Sequence, residues 1–230
     1  MVGHQPQFMP YIGVLNKISK ADVYVIVDHV QFVKKYFHNR TYIKVHDAAQ
    51  LLTVPVLIKD ESFAPINQIK INHVDVWKRK HLKSMRLAYQ HSRSFDRYFG
   101  KIEDIYSKRH EYLCDFTSEL LIFFLREFEL VEDVRISSQL QVTGKKTDLL
   151  VELTRAVNGT TYLSGEGASD YFDEAAFSAS GYRHAFNRFQ HPVYPQLGHT
   201  FLKGMGCVDL LFNCGRDGRK YIVNPEAYLS

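Results

Sequence analysis

Residues 3–32, GHQPQFMPYIGVLNKISKADVYVIVDHVQF, decide the fold of this chain. Pro10 suits the first turn of a helix, because its missing N–H costs nothing there. Apolar side chains then recur at helical spacing, at Tyr11, Val14, Leu15 and Ile18. Residues 23–27, VYVIV, form a continuous β-branched run that is typical of a parallel strand covered on both faces. With a first strand before His4, the stretch predicts a β-α-β unit.

This unit predicts polar side chains at the carboxyl ends of two neighbouring strands. His4 follows the first strand and Asp28 the second, and ligands bind at that edge of open α/β sheets. We therefore predict a catalytic site in which His4 is the general base and Asp28 orients it. Gln5 and Gln31 are amides that fix the orientation of a ligand but transfer no proton. The alternatives are a structural, hydrogen-bonded His4 and an Asp28 that only caps the next turn.

Residues 31–59 alternate enough to predict a β-hairpin, with strands over 41–45 and 51–57. A basic and polar cluster, Lys35, Asn39 and Arg40, lies there among Tyr36, Phe37 and Tyr42. Arg binds phosphate in a bidentate manner and aromatic rings stack on a base, so the cluster predicts phosphate binding. A solvated strand edge that resists aggregation is the alternative.

Residues 75–130 change to a helical pattern. One helix has a predicted buried face made of Trp77, His81, Met85, Ala88 and Tyr89, and a second runs from about 107 to 130. Since no linker separates these residues from the rest, we predict one domain over 1–230 with 75–130 as a helical insert or cap. The basic residues of the first helix allow a second hypothesis, a nucleic-acid-binding module: Lys78, Arg79, Lys80, Lys83 and Arg86.

The second half returns to α/β order. KTDLLVELTRAVNG predicts a helix with Thr147 as a possible N-cap, and a strand follows over 160–163. The turn after it, SGEGASDY, contains Ser164, Gly165 and Gly167, which we predict to bind an anion at the carboxyl edge of the sheet. The alternative is that the two glycines only permit a tight turn.

Further polar and aromatic residues are candidates for the same pocket. Tyr171, His191, Tyr194 and Gln196 either complete it or pack a loop near two prolines. Asp209 and Asn213 are four residues apart in an apolar helix that Gly215 ends, so they share a face that is bonded to backbone or turned toward a ligand.

Composition excludes several classes of protein. The most apolar run, residues 120–125, is far shorter than the ~20 residues of a membrane span, and no secretory signal is present, so we expect a cytoplasmic protein. The three cysteines predict free thiols, and no spacing predicts a metal site. GxSxG and P-loop motifs are missing from the sequence. A net charge of +4 allows an anionic ligand without demanding one.

The order of several short motifs resembles the WbqC-like family. They are His4-Gln5-Pro6, Pro10-Tyr11, Gly13, Asp28, Val30-Gln31-Phe32, Asn39-Arg40, TYLSGEGASDY, YPQ and VDLLFNCG. The resemblance extends from one end of the chain to the other, and its members tend to occur with bacterial surface-polysaccharide genes. The opening unit also looks distantly like nucleotidyltransferase or Rossmann-type folds. This likeness indicates a fold and not a reaction.

The resemblance implies a transferase that attaches an acyl or aminoacyl group to the amine of a nucleotide-linked amino sugar in O-antigen and similar glycans. The sequence leaves the acyl donor and any cofactor open among coenzyme A, a folate, aminoacyl-tRNA, and ATP with an amino acid. A non-catalytic scaffold of a glycan-assembly complex is a further alternative.

Overall fold

The computed structural model describes residues 1–58, 64–74, 76–170 and 172–229. The strands are β1 (Val2–His4), β2 (Val23–Ile26), β3 (Arg40–Val45), β4 (Ala48–Thr53), β5 (Val56–Leu57), β6 (Lys70–Ile71), β7 (Asp133–Ile136), β8 (Thr161–Gly165) and β9 (Arg183–Asn187). The α-helices are α1 (Ile12–Ser19), α2 (Trp77–Tyr89), α3 (Phe95–Ser107), α4 (Leu113–Glu127), α5 (Lys146–Ala156), α6 (Glu174–Ala179), α7 (Cys207–Cys214) and α8 (Arg219–Val223).

The central sheet is parallel. β2 pairs with β1 on one side and with β7 on the other, and β8 pairs with β9. Met1 joins the two groups, because its nitrogen donates to the Thr161 carbonyl at 2.8 Å and its carbonyl accepts from the Leu163 N–H at 3.0 Å. This is the bonding pattern of a parallel ladder. The resulting strand order is β7-β2-β1-β8-β9, and the direction of winding reverses between β1 and β8.

Both faces of the sheet are covered, as a parallel sheet requires. Val2, Tyr24 and Ile26 point into the larger core, which contains α1, α4 and α7. Met1, Val25 and Val27 point into a smaller core formed by α5 and α6. This arrangement confirms the predicted α/β class with a mostly parallel sheet and flanking helices.

The hairpin is shorter than predicted. β3 and β4 pair antiparallel from Arg40–Thr53 to Val45–Ala48. Val54 and Pro55 then interrupt the second strand, because proline has no N–H to give to a ladder. The next two residues form β5, which pairs with β6 instead.

The first helix of the predicted insert is confirmed as α2, with the predicted buried face. The second predicted helix corresponds to α4, but it begins at Leu113 and not near residue 107, because Ser107 is the last residue of a separate helix, α3. The segment between them is extended, since its backbone bonds with that of β6: Ile71 donates to Glu111, and Leu113 to Ile69.

Two predicted helix ends had different outcomes. Thr147 is not the N-cap of α5, because Lys145 occupies that position and the Thr147 hydroxyl accepts from the Asp173 N–H at 2.9 Å. Gly215 follows α7 with a φ of 61°, as its predicted role of helix stop requires. Among the described helices, none has the length and apolar character needed to cross a bilayer.

Candidate active site

A cleft of about 790 Å³ opens at the carboxyl ends of β1 and β8, where the winding of the sheet reverses. Ligands bind at such switch points in open α/β sheets. The floor is apolar and comes mainly from α5, β2 and β8, with Val27, Leu149, Leu150, Leu153 and Tyr162. The polar lining includes His4, Gln5, Gln7, Lys17, Ser164 and Glu166. Five predicted site residues thus lie in one cleft: His4, Gln5, Ser164, Gly165 and Gly167.

His4 is the last residue of β1, and its carbonyl accepts from the Val27 N–H at 2.9 Å, which fixes the strand end. None of the described residues hydrogen-bonds to its imidazole. Burial and the nearby Lys17 ammonium lower the pKa of His4 well below its usual value of 6.5. At neutral pH the ring is therefore uncharged and carries one nitrogen that can accept a proton.

Gln5 is held in one orientation by His38, which sequence reasoning missed. His38 is fully buried, and its Nε2 lies 2.8 Å from Gln5 Oε1. The Val33 N–H donates to His38 Nδ1 at 3.3 Å, so Nε2 carries the proton and donates to Gln5. Burial lowers the pKa of His38 to about 4, which keeps this tautomer neutral. The side-chain carbonyl oxygen of Gln5 therefore already accepts a hydrogen bond from His38.

Lys17 comes from α1, a helix in which every residue from Ile12 to Ile18 is buried. Its side chain is 8% exposed, and Nζ donates to the Gly3 carbonyl at 3.3 Å. Burial lowers the pKa of Lys17 to about 8. The cleft therefore contains a buried amine that titrates close to neutral pH.

The end of β8 forms the opposite wall of the cleft. Ser164 is 2% exposed, and a hydrogen bond of 2.8 Å joins its Oγ to His184 Nε2 on the neighbouring β9. A Cβ built at Gly165 would meet only the Lys17 side chain, with Nζ at 3.9 Å. The glycine therefore keeps the backbone of the strand end accessible next to the Lys17 ammonium.

Aromatic rings form the rim. Tyr11, which is 42% exposed, packs edge-on against Phe189 with 6.1 Å between ring centroids. Gly13 allows this placement, because a Cβ there would lie 2.4 Å from the Tyr11 ring. Tyr36 and Phe37 line the rim as well and are about as exposed as Tyr11. These four rings offer flat apolar surfaces at the mouth of the cleft.

A model of the WbqC-like protein family matches residues 5–221. The chain belongs to this family. It is also 27% identical over 220 residues to the uncharacterized protein Rv1507c of Mycobacterium tuberculosis, a match that covers 95% of each chain. No solved structure matches the chain. The family matched is the one that the motif order resembled.

In this WbqC-like protein Asp28 is not part of the cleft lining, and its carboxylate does not hydrogen-bond to His4. Its carboxylate accepts from Ser137 Oγ at 2.9 Å, from Ser138 N at 2.9 Å and Oγ at 2.6 Å, and from Asn67 Nδ2 at 3.3 Å. Asp28 is 4% exposed. The carboxylate thus has a structural role, but it holds the turn after β7 and not the next turn along the chain, which was the alternative stated for it.

The predicted phosphate cluster is dispersed. Asn39 is buried, and its Nδ2 donates to the Val54 carbonyl at 2.8 Å. Arg40 lies in β3, Lys35 is exposed with a φ of 62°, and Gln31 forms an isolated bridge with Pro65. None of these four residues lines the cleft. Tyr171 lies outside the described residues.

Asp209 belongs to a separate buried cluster. Its carboxylate accepts from the hydroxyls of Tyr89 and Tyr194, at 2.9 and 2.8 Å, and from Gln196 Nε2 at 2.9 Å. Asn213 Nδ2 donates to the Asp209 carbonyl, and His191 bonds with the backbone of Pro192 and Gly204. The structure therefore separates Asp209, Asn213, His191 and Tyr194 from His4.

Two basic side chains of α2 are engaged in contacts with other parts of the protein. Lys78 donates to the Lys108 carbonyl, and the Arg86 guanidinium lies 4.4 Å from the Phe99 ring centroid and 3.7 Å from Glu103. These contacts anchor α2 to α3 and its end. Within the described residues, no group of three or more His, Cys, Asp and Glu side chains is placed to hold a metal ion.

Proposed function

We propose that this cleft is the active site of a transferase that attaches an acyl or aminoacyl group to the amine of a nucleotide-linked amino sugar. The observation that carries the proposal is His4, an uncharged imidazole with no hydrogen bond from the described residues, at the carboxyl end of the central strand. An amine that attacks a carbonyl must lose a proton, and a neutral imidazole accepts one.

The other residues of the cleft suit substrate positioning. Its volume of about 790 Å³ is within the range of small-molecule sites. The apolar floor supports a sugar or an acyl chain, and the rim rings suit stacking on a nucleotide base. His38 fixes Gln5, so the Gln5 amide N–H groups can bind a substrate hydroxyl or carbonyl without reorienting.

From the β8 side of the cleft, Ser164 is the group placed to contact the reacting carbonyl. Its hydroxyl is oriented by His184, and the glycine after it leaves the backbone accessible. In the proposed reaction the amine nitrogen bonds to the donor's carbonyl carbon, His4 takes the amine proton, and the bond to the donor's leaving group breaks. Positioning and proton removal supply the rate acceleration.

The proposal is tested first by thermal unfolding in the presence of nucleotide-linked amino sugars, ATP, coenzyme A, a folate and bulk tRNA. A ligand at ~100 times its Kd stabilises the fold by ~2.7 kcal/mol, which is a readable shift. We expect a shift with an amino-sugar nucleotide. A shift with tRNA alone would favour a nucleic-acid-binding module, and no shift with any compound would favour a scaffold.

The role of His4 is tested by turnover of the sugar and donor that the first experiment identifies. We expect His4→Ala to lower kcat by about 10²–10⁴ while the thermal shift with the sugar is retained. His199→Ala is the matched control, because His199 is exposed and does not line the cleft. Unchanged kcat in His4→Ala would show that His4 is not the base.

A further inference from the structure

Lys17 is a buried cation whose contacts within the described structure do not satisfy its charge. Its side chain is 8% exposed, and Nζ makes one long hydrogen bond of 3.3 Å, to the Gly3 carbonyl. Among the described residues, no carboxylate pairs with it, and burial alone perturbs it. A buried ammonium normally has a counter-ion or several hydrogen bonds, because desolvation of an unpaired charge is costly.

Lys44 is a buried lysine whose ammonium is satisfied by partners within the same protein. Its side chain is as buried as that of Lys17, yet Nζ donates to the Leu197 and Thr200 carbonyls and lies 3.4 Å from the Asp47 carboxylate. Lys44 thus has two acceptors and a counter-ion from the protein. Lys17 has one acceptor, and its ammonium lines an open cleft.

The surroundings of Lys17 favour an anion as the missing partner. Nζ lies beside the Gly165 end of β8, at 3.9 Å from where a Cβ would be. Glu166 is the one acidic side chain among the described residues that line the cleft, and Lys146 lies on the lining as well. Burial and, after it, the nearby Glu166 carboxylate raise the pKa of the Tyr11 phenol at the rim.

We propose that Lys17 is the counter-ion of a phosphate group, and that the sugar substrate of the cleft is carried by a nucleoside diphosphate. The inference rests on the proposed function and names its substrate class. The diphosphate lies against the Lys17 ammonium at the Gly165 end of β8, and the base stacks on the rim formed by Tyr11, Tyr36, Phe37 and Phe189. The sugar then lies along the apolar floor, close to His4.

This arrangement couples binding to protonation. The free amine of Lys17 has a pKa of about 8, and a bound dianion returns the pKa toward its usual 10.5. At pH 8.5 most of the unliganded protein has Lys17 neutral, so binding draws roughly 0.75 proton from the buffer. At pH 6.5 Lys17 is already charged, and uptake at this group is close to zero.

The experiment is titration calorimetry of the full chain with pyrophosphate, with uridine, guanosine and thymidine diphosphates, and with the corresponding amino-sugar nucleotides. Each titration is run at pH 6.5 and 8.5 in two buffers of different ionisation enthalpy, which gives the number of protons taken up. We expect a nucleoside diphosphate to bind at least tenfold more tightly than pyrophosphate, with uptake at pH 8.5 only.

Three variants complete the test. Lys17→Met is expected to lose at least tenfold in affinity and all of the uptake, and thermal unfolding checks that it is folded. Lys17→Arg keeps a charge that does not titrate, so we expect it to retain binding without uptake. Lys101→Met is the matched control, because it removes the same charge and because neither Lys101 nor its partner Glu127 lines the cleft.

Two results would overturn the inference and leave the proposed function standing. One is tight binding of the diphosphates in Lys17→Met, and the other is binding by the wild type with no proton uptake at pH 8.5. Absence of binding by every diphosphate compound would also overturn it. Failure of the proposed function is distinguishable from these outcomes, since it appears as the absence of acyl or aminoacyl transfer to an amino-sugar nucleotide that the protein binds.

Discussion

The cleft and the Asp209 cluster, which consists of Asp209, Tyr89, Tyr194 and Gln196, use similar residue types in opposite ways. In the Asp209 cluster both tyrosine hydroxyls and the Gln196 amide converge on one carboxylate, and the Tyr89 hydroxyl also accepts from the Lys44 N–H. In the cleft His4 has no hydrogen bond from the described residues, and Lys17 has a single long one. One region satisfies its polar groups and the other leaves them available.

A binding site and a structural cluster in one fold are distinguished by whether their buried polar groups have partners. Buried polar groups in a stable core have partners, because an unpaired one costs free energy. A region that keeps buried groups available is less stable than it would be with apolar side chains, and such a cost is typical of functional sites. The two regions should therefore respond to substitution in opposite directions.

The largest effect is expected in the Asp209 cluster. Asp209→Ala leaves the Tyr89 and Tyr194 hydroxyls and the Gln196 amide buried without their acceptor, so we expect a loss of about 4 kcal/mol in the free energy of unfolding. Urea denaturation at pH 7 measures it. Asp209→Asn keeps one acceptor oxygen and is expected to lose about half as much. A loss below 1 kcal/mol in Asp209→Ala would remove the contrast between the two regions.

The opposite effect is expected at Lys17. Its pKa is about 8 in the fold against a usual 10.5, so below pH 8 it is charged in both states and burial penalises only the folded one. Lys17→Met should therefore stabilise the protein by about 3 kcal/mol at pH 7. As pH rises from 8 to 10.5, the folded protein loses this proton before the unfolded chain, and the advantage of the variant disappears.

The measurement is urea denaturation of wild type and Lys17→Met in parallel at pH 7, 8, 9 and 10. Lys101→Met is a suitable control, because Lys101 is an exposed partner of Glu127 and its removal changes the net charge equally. A Lys17→Met variant that is less stable than wild type at pH 7 would contradict the inference that burial of the charged Lys17 amine destabilises the folded protein.

A smaller effect is expected at His38. Its pKa is about 4 in the fold and the usual value is 6.5, so as pH falls the unfolded chain binds the proton first and stability is lost between pH 6.5 and 4. At pH 5 this loss is about 2 kcal/mol. His38→Gln does not titrate, and its free energy of unfolding should fall less between pH 7 and 5. An equal decrease in the free energy of unfolding in both proteins would show that His38 does not cause the loss of stability at acid pH.

Much of the sheet could be predicted from local patterns. The apolar run VYVIV and the helical spacing before it correspond to β2 and α1, and the buried face of α2 follows from its periodicity. The break between α3 and α4 could not be predicted in this way. It depends on pairing of residues 111–113 with β6, about 40 residues earlier in the chain, and helix propensity contains no such information.

The site was predicted in part for the same reason. His4, Gln5 and Ser164 come directly at strand ends, and strand ends are visible in the sequence. Lys17 and His38 take their places through packing, since Lys17 lies on the buried helix α1 at the cleft and His38 folds back against Gln5. Asp28 has the right position at a strand end but finds donors in Ser137 and Ser138, which lie 109 and 110 residues away.

The junction between β1 and β8 has a consequence for synthesis. Met1 pairs with Thr161 and Leu163, about 160 residues later in the chain, so the two walls of the cleft cannot meet until β8 has left the ribosome. Until then one edge of β1 is unpaired, and such edges recruit other strands. The nascent protein therefore passes through a long window in which its central strand needs protection, and long-range closure of this kind slows folding.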